Sequence, residues 1–317
     1  MNILFVVHRY APYPGGSEIY VQSMAEETLR RGHSVAVFAG EHQGDLNNVM
    51  VSSDSTILFA KWDLIVVHGG GVAVQDFVLS NAAKIQSPIL YMLILPNENP
   101  ECVQALHTCA LIGCSTYDDF KHCARHNVMQ KAVRIRHGIT PANCFGTAGF
   151  KQKHGLSTKQ MFLSCGGYWP NKAMKELADV FESANIENSV LVTTGYDNRF
   201  NLMPTARNNI IPLILTDRTE MLSALHDADC LIMHSYQEGF GLVLLEAMLN
   251  QTPWIARNIA GAELMKDQGI TYISDVDLVN QLRNFNRSKF DIKSAYEHVC
   301  GNHLISNTVD DILAVIK

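Results

Sequence analysis

Runs of consecutive apolar residues recur along the chain, separated by stretches with helical periodicity. Ile3 to Val7, Ser34 to Ala39, Asp63 to His68, Pro88 to Leu95, Cys109 to Cys114 and Lys131 to Arg136 form a first series. Gln160 to Cys165, Ser189 to Gly195, Asn209 to Ile214, Asp229 to Ser235, Thr252 to Arg257 and Gly269 to Ile273 form a second. Because neighbouring rather than alternate positions are apolar, the runs suit strands of a parallel sheet covered by helices on both faces. The pattern predicts an α/β protein with two Rossmann-like, doubly wound parallel sheets. Between the series, Gly138 to Gly155 carries Pro141, Gly146 and Gly149 and shows little periodicity, which marks a linker. The predicted domains are 1–145 and 146–317. Within the final segment, 306–317, Val309, Ile312, Leu313 and Ile316 make a helical stripe that needs a partner surface, and packing back across the linker would supply one. Open parallel sheets bind ligands at the carboxyl ends of their strands, so an active cleft is expected between the two domains.

A length of 317 residues leaves room for both cores, and 47% hydrophobic with 18% charged residues excludes disorder. The formal charge of −6 gives no global attraction to polyanions and argues against nucleic acid as the main ligand. No apolar stretch approaches the ~20 residues of a membrane span. The run from Ile3 stops at His8-Arg9, too early for a signal-peptide core, so the expected location is the cytoplasm. Eight cysteines without a C-x-x-C pair fit buried free thiols. His122 and His126 lie four apart with Cys123 between them, a spacing that could face a metal from one helix. No second ligand pair accompanies them, and no metal is expected.

Chemistry concentrates in three segments. After the first run the chain reads Pro14-Gly15-Gly16-Ser17-Glu18 and enters a helix with Ser17 as N-cap and Gly32 just past its end. Adjacent glycines ahead of a helix N-terminus suit a phosphate, and equally a turn with no ligand. The second segment, Gly166-Gly167-Tyr168-Trp169-Pro170-Asn171-Lys172, places Lys172 in a first helical turn, where the dipole disfavours a cation unless an anion lies nearby. The third runs Ser235-Tyr236-Gln237-Glu238-Gly239-Phe240-Gly241-Leu242 into a helix that is apolar from Leu242 to Leu249 except at Glu246. Glu246 is therefore expected to be buried, and a buried carboxylate needs a partner. No basic residue occurs from Ser235 to Ile255, so the partner is either a ligand hydroxyl such as a ribose diol or a distant Lys or Arg.

These residues resemble retaining glycosyltransferases of family 4, enzymes with the GT-B fold. Pro14 to Glu18 is similar to the family's first glycine loop, Gly32-His33-Ser34-Val35 to its entry into the second strand, and Glu238 to Glu246 to its E-x7-E motif. Lys172 matches the lysine that neutralises the donor diphosphate, while Thr252-Pro253 and Gly261-Ala262-Glu263 resemble segments that follow. The resemblance implies a metal-independent, cofactor-free transfer of a sugar from a nucleoside-diphosphate donor to an acceptor, with retention. Glu238 and Lys172 would be catalytic. The donor would meet Gly15, Gly16, Gly167, Lys172, Glu238, Gly239, Phe240, Gly241, Leu242 and Glu246, mostly in the second domain. The first domain would see the acceptor.

Three departures stand out. Gly167 occupies the usual place of an arginine, with Arg9 or Arg218 as candidate replacements. The first-domain histidine is missing from Leu93-Ile94-Leu95-Pro96-Asn97-Glu98, leaving Asn97, Glu98 or His68 to line the acceptor or sugar pocket. The chain is also short for the family. A rival expectation is a nucleotide-sugar binding module with impaired catalysis. Finally, Lys121, Arg125, Lys131, Arg134 and Arg136 cluster within 121–137, which is either a solvated face or a patch for an anionic membrane carrying a lipid-linked acceptor.

Overall fold

The computed structural model describes residues 1–13, 15–70, 72–96 and 98–316. The chain divides into two compact units, Met1–Gly138 with His303–Lys317, and Ile139–Asn302. The crossing thus falls at 138/139 rather than the expected 145/146, and the chain returns to the first unit for its last segment.

In the first unit, strands β1 (Asn2–Arg9), β2 (Ser34–Glu41), β3 (Met50–Ser52), β4 (Leu64–His68), β5 (Ile89–Met92), β6 (Leu111–Cys114) and β7 (Ala132–Arg134) pair in parallel. Their order is β3-β2-β1-β4-β5-β6-β7. The short edge strand β3 has no counterpart in the apolar runs. Helices α1 (Gly16–Arg30), α2 (Ala73–Ser80), α3 (Pro100–Thr108) and α4 (Tyr117–Arg125) connect the strands. The second unit opens with α5 (Phe150–Lys153), followed by β8 (Gln160–Cys165), α6 (Met174–Ala184), β9 (Ser189–Gly195), β10 (Ile210–Ile214), α7 (Arg218–Asp227) and β11 (Cys230–Met233). It continues through α8 (Leu242–Leu249), β12 (Trp254–Arg257), α9 (Ala260–Leu264), β13 (Ile270–Tyr272), α10 (Asp275–Arg283) and α11 (Ile292–Asn302). This parallel sheet has the order β10-β9-β8-β11-β12-β13. The final helix, α12 (Ile305–Ala314), packs on α1 of the first unit.

Consecutive apolar residues do what two-sided burial requires. Met161 and Leu163 of β8 join one core and Phe162 the other. Likewise Leu231 and Met233 of β11 face one side and Cys230 and Ile232 the opposite side. In each unit the first strand has its sequential successors on one side and a later strand on the other. β1 lies between β2 and β4, and β8 between β9 and β11. The loops leaving β1 and β4, and those leaving β8 and β11, therefore diverge at a switch in strand order, where open α/β sheets leave room for ligands.

Two local expectations need correction. Helix α1 begins at Gly16 with Gly15 as N-cap, so Ser17 lies inside the first turn. Its end is as expected: Gly32 has φ +83°, its N–H donates to Leu29, and that of His33 donates to Thr28, the paired bonds of a Schellman closure. Lys172 occupies a 3₁₀ turn, Pro170–Lys172, ahead of α6, because Ala173 adopts a left-handed conformation and separates the two.

Candidate functional site

The second unit gathers its charges at the switch between β8 and β11. The loop after β8 turns at Gly166, whose φ of +150° suits glycine, and the Lys172 side chain passes over it. The loop after β11 carries Glu238. The Lys172 ammonium donates to Glu238 Oε1 at 2.6 Å, and the Ser235 hydroxyl donates to the same oxygen at 2.6 Å. Backbone bonds hold the loops together: Tyr236 N–H donates to Asn171 O at 2.8 Å, and the Asn171 side chain donates to Gln237 O at 3.0 Å. Of the two charged side chains, Lys172 is 23% exposed and Glu238 10%.

Helix α8 begins beside this pair without a side-chain cap. Its N-cap, Gly241, has φ +90°, which favours glycine, and a Cβ there would sit in tight contact 3.0 Å from the Met233 sulfur. Gly239, Phe240, Gly241 and Leu242 thus lead the backbone into an amide-lined helix start. Further along the same helix, Glu246 is buried, as expected. Its partner is not left to a ligand, since Arg218 at the start of α7 donates to Glu246 Oε1 at 2.5 Å. The distant-arginine alternative is the observed one. Burial works against the Arg218 charge, but the adjoining carboxylate outweighs it and keeps the guanidinium protonated more firmly than usual. Among the described residues, the contacts of the Glu246 carboxylate fall on Oε1. Burial pushes the Cys165 thiol, at the end of β8, up to about 12, with Glu246 adding to the shift while Lys172 and Arg218 oppose it. Both ion pairs therefore border the end of one strand.

The departure at Gly167 has a packing cause. A Cβ on that residue would lie 1.7 Å from the Trp169 indole nitrogen, so the ring covers the position where a longer side chain would project. The indole in turn meets the Arg199 guanidinium at 5.3 Å and the Phe200 ring at 4.9 Å. Sequence reading missed this cluster, because Arg199 and Phe200 lie beyond β9 and no motif marks them. It also missed His234, buried between Tyr272 and Arg257, whose pKa burial lowers to about 4.

In the first unit, Gly15 and Gly16 behave differently. A Cβ on Gly15 would lie 2.1 Å from Glu18 Oε2, whereas Gly16 faces open space. Glu18 is buried and accepts from Arg9 at 2.9 Å, so a protein carboxylate already lies against the first of the two glycines. Both arginines proposed to replace the missing one, Arg9 and Arg218, are thus paired. His68 ends β4 in the core, and burial lowers its pKa to about 4. Glu98, in the segment between β5 and α3, packs against the end of α4, bonded to Arg125 at 2.8 Å and to His126 at 3.0 Å. Asn97, Pro14 and Gly71 lie outside the described residues. In the basic stretch, Lys121 pairs with Asp118, Arg125 with Glu98 and Arg136 with Asp311, while Lys131 donates to backbone carbonyls including Cys109 O at 3.0 Å. No described helix is long and apolar enough to cross a membrane.

Residues 159–284 match the model of the family described as Glycosyl transferases group 1. A glycogen synthase from Mycobacterium tuberculosis is 49% identical over 45 residues, which span 14% of this chain and 11% of that protein. Among solved structures, sucrose-phosphate synthase from Thermosynechococcus elongatus superposes with a TM-score of 0.76 at 15% identity, covering 99% of this chain and 98% of the other. HepE from Anabaena, solved with UDP-glucose, gives 0.76 at 16% identity and covers 100% and 99%. WaaG, a glycosyltransferase of lipopolysaccharide biosynthesis, gives 0.73 at 16% identity and covers 99% of both chains. Such likeness establishes the two-unit Rossmann-like fold. Residues 159–284 are thus similar to the glycosyl transferases group 1 family, within a chain that has the two-unit Rossmann-like GT-B fold of these structures.

Proposed function

We propose that the protein transfers a sugar, with retention, from a nucleoside-diphosphate donor bound by the second unit to an acceptor, without a metal in the transfer step. The observation that carries this reading is the Lys172–Glu238 pair at the β8/β11 switch, beside the uncapped start of α8, inside the matched domain. An anionic diphosphate would draw Lys172 away from Glu238. It would also meet the backbone amides at Phe240, Gly241 and Leu242, which supply positive potential as the leaving group departs. Glu238 would then be released toward the sugar. Glu246, held by Arg218 through Oε1, presents Oε2 to the ribose hydroxyls. Arg218 thus serves as the positioning residue for this carboxylate rather than as a replacement diphosphate ligand. Gly15 and Gly16, with His68, Asn97 and Glu98, remain the proposed first-unit contacts to donor and acceptor. HepE, crystallised with UDP and with UDP-glucose, supports a nucleotide-sugar donor for this fold.

The test is to incubate the protein with UDP-, GDP-, ADP- and dTDP-sugars and measure release of the nucleoside diphosphate, with and without acceptors. Turnover of one donor that disappears in Glu238→Gln supports the transferase. Binding by calorimetry without any turnover supports instead a nucleotide-sugar binding module, a reading favoured by the full pairing of Arg9 and Arg218. Absence of both binding and turnover overturns the two together.

A further inference from the structure

We infer that Glu98, His122 and His126 form a binding site for a divalent transition-metal ion, zinc in the first instance, in the first unit. One ligand atom from each residue lies within 4.8 Å of those of the other two. His126 Nε2 stands 3.0 Å from Glu98 Oε2, and His122 Nδ1 stands 3.7 Å from Glu98 Oε1. Four-coordinate zinc, with bonds of about 2.0–2.2 Å, sets its ligand atoms about 3.3 Å apart, so both separations need only small side-chain adjustments. Two imidazoles one helical turn apart with a carboxylate from another segment make a borderline donor set that suits zinc over magnesium or calcium.

The spacing of the histidines is a property of α4 alone, but the third ligand is not. Glu98 lies 28 residues before His126, in the segment between β5 and α3, and reaches them only because the fold lays that segment against α4. Thr116 and Asp119 form a reciprocal capping box that fixes the start of α4, so the helix presents the two rings in a defined register. The rings themselves meet edge-on with centroids 4.6 Å apart. Arg125 donates to Glu98 Oε1 at 2.8 Å and orients the carboxylate, as outer partners of metal ligands do. His122 is buried, and the Glu98 side chain is 58% exposed. The ion would thus keep one coordination position open to water while tying the segment after β5 to α4. Glu98 is also among the first-unit contacts proposed for the transfer reaction, so the test reads metal binding itself rather than turnover.

The experiment uses the full chain stripped with a chelator, titrated with zinc chloride in a calorimeter, and separately loaded with cobalt(II) for visible absorption. Expected are one tight zinc equivalent per chain, cobalt bands of tetrahedral intensity, and a higher Tm with zinc. Glu98→Gln and His126→Asn should each weaken zinc more than ~10-fold, the lower end of what losing even an outer-shell partner costs. Lys121→Ala on the same helix should leave the affinity unchanged. Glu98 is exposed, so its variant keeps the fold, checked by an unaltered Tm in chelator. No stoichiometric zinc in the parent protein, or an affinity in both ligand variants unchanged from the parent, overturns the site.

Discussion

At the scale of single residues, the second unit holds two ion pairs of similar length and different consequence. Lys172–Glu238 joins two loops at partial exposure, where such a pair contributes about 1 kcal/mol or less to stability. Lys172→Ala should therefore barely shift Tm, yet lower kcat for donor turnover roughly 10²–10³-fold if the ammonium stabilises the leaving diphosphate. Arg218–Glu246 has similar side-chain exposure, but its carboxylate stands on the otherwise apolar helix α8, so Arg218→Ala strands it among aliphatic side chains. We expect a loss of about 3 kcal/mol in urea unfolding, with much of it recovered in the apolar double variant Arg218→Met/Glu246→Leu. Equal destabilisation in the single and double variants would show that the pair's charge is not the issue. That Glu246 is buried was legible from its apolar neighbours along the helix. That Arg218 is its partner was not, because α7 and α8 are separated along the chain by β11 and meet only through packing into the same core on one face of the sheet.

At the scale of elements, strands were readable nearly to their ends, since two-sided burial leaves continuous apolar runs. β8 and β9 have the bounds the sequence suggests. Helix starts were less readable. Ser17 has a capping side chain, but the structure uses Gly15, because the Glu18 carboxylate turns back over it toward Arg9 and a Cβ there would collide. The end of α1 was readable, because a left-handed closing residue strongly favours glycine. Gly32→Ala should cost ~1 kcal/mol of stability by denaturant titration without altering donor turnover. An unchanged midpoint would mean that the closure relaxes freely.

Across the whole molecule, the chain's return to the first unit through α12 makes that unit depend on residues at the far end of the sequence. Arg31 reaches Asp310 at 2.6 Å and Arg136 reaches Asp311 at 2.6 Å, while Ile312 is buried. Ile312→Ala should destabilise by ~2–5 kcal/mol. Proteolytic nicking should then appear first within 1–138, and cleavage confined to 139–302 would contradict the assignment. Stability should also depend on pH through buried histidines. Burial lowers the pKa of His68 from 6.5 to about 4, and His234 from 6.5 to about 4. The unfolded chain therefore binds more protons in that window, and stability present above pH 6.5 is lost as pH falls toward 4, by up to ~1.4 kcal/mol per pH unit for each group. His68→Phe should flatten the dependence if it folds, and His234→Phe provides the same check in the other unit. A pH slope unchanged from the parent in both variants would remove these groups as the cause.

The sequence alone determined the parallel strands, the two sheets and the loops that carry Lys172 and Glu238. These follow from local pattern: which positions are apolar, where glycine interrupts, and what stands just after a strand. Only the tertiary structure decided which side chains meet, namely Arg218 with Glu246, Trp169 over Gly167, Glu98 beside His122 and His126, and α12 on α1. Such pairings join residues from separate elements, and strand order with helix packing, rather than spacing along the chain, brings them within bonding distance.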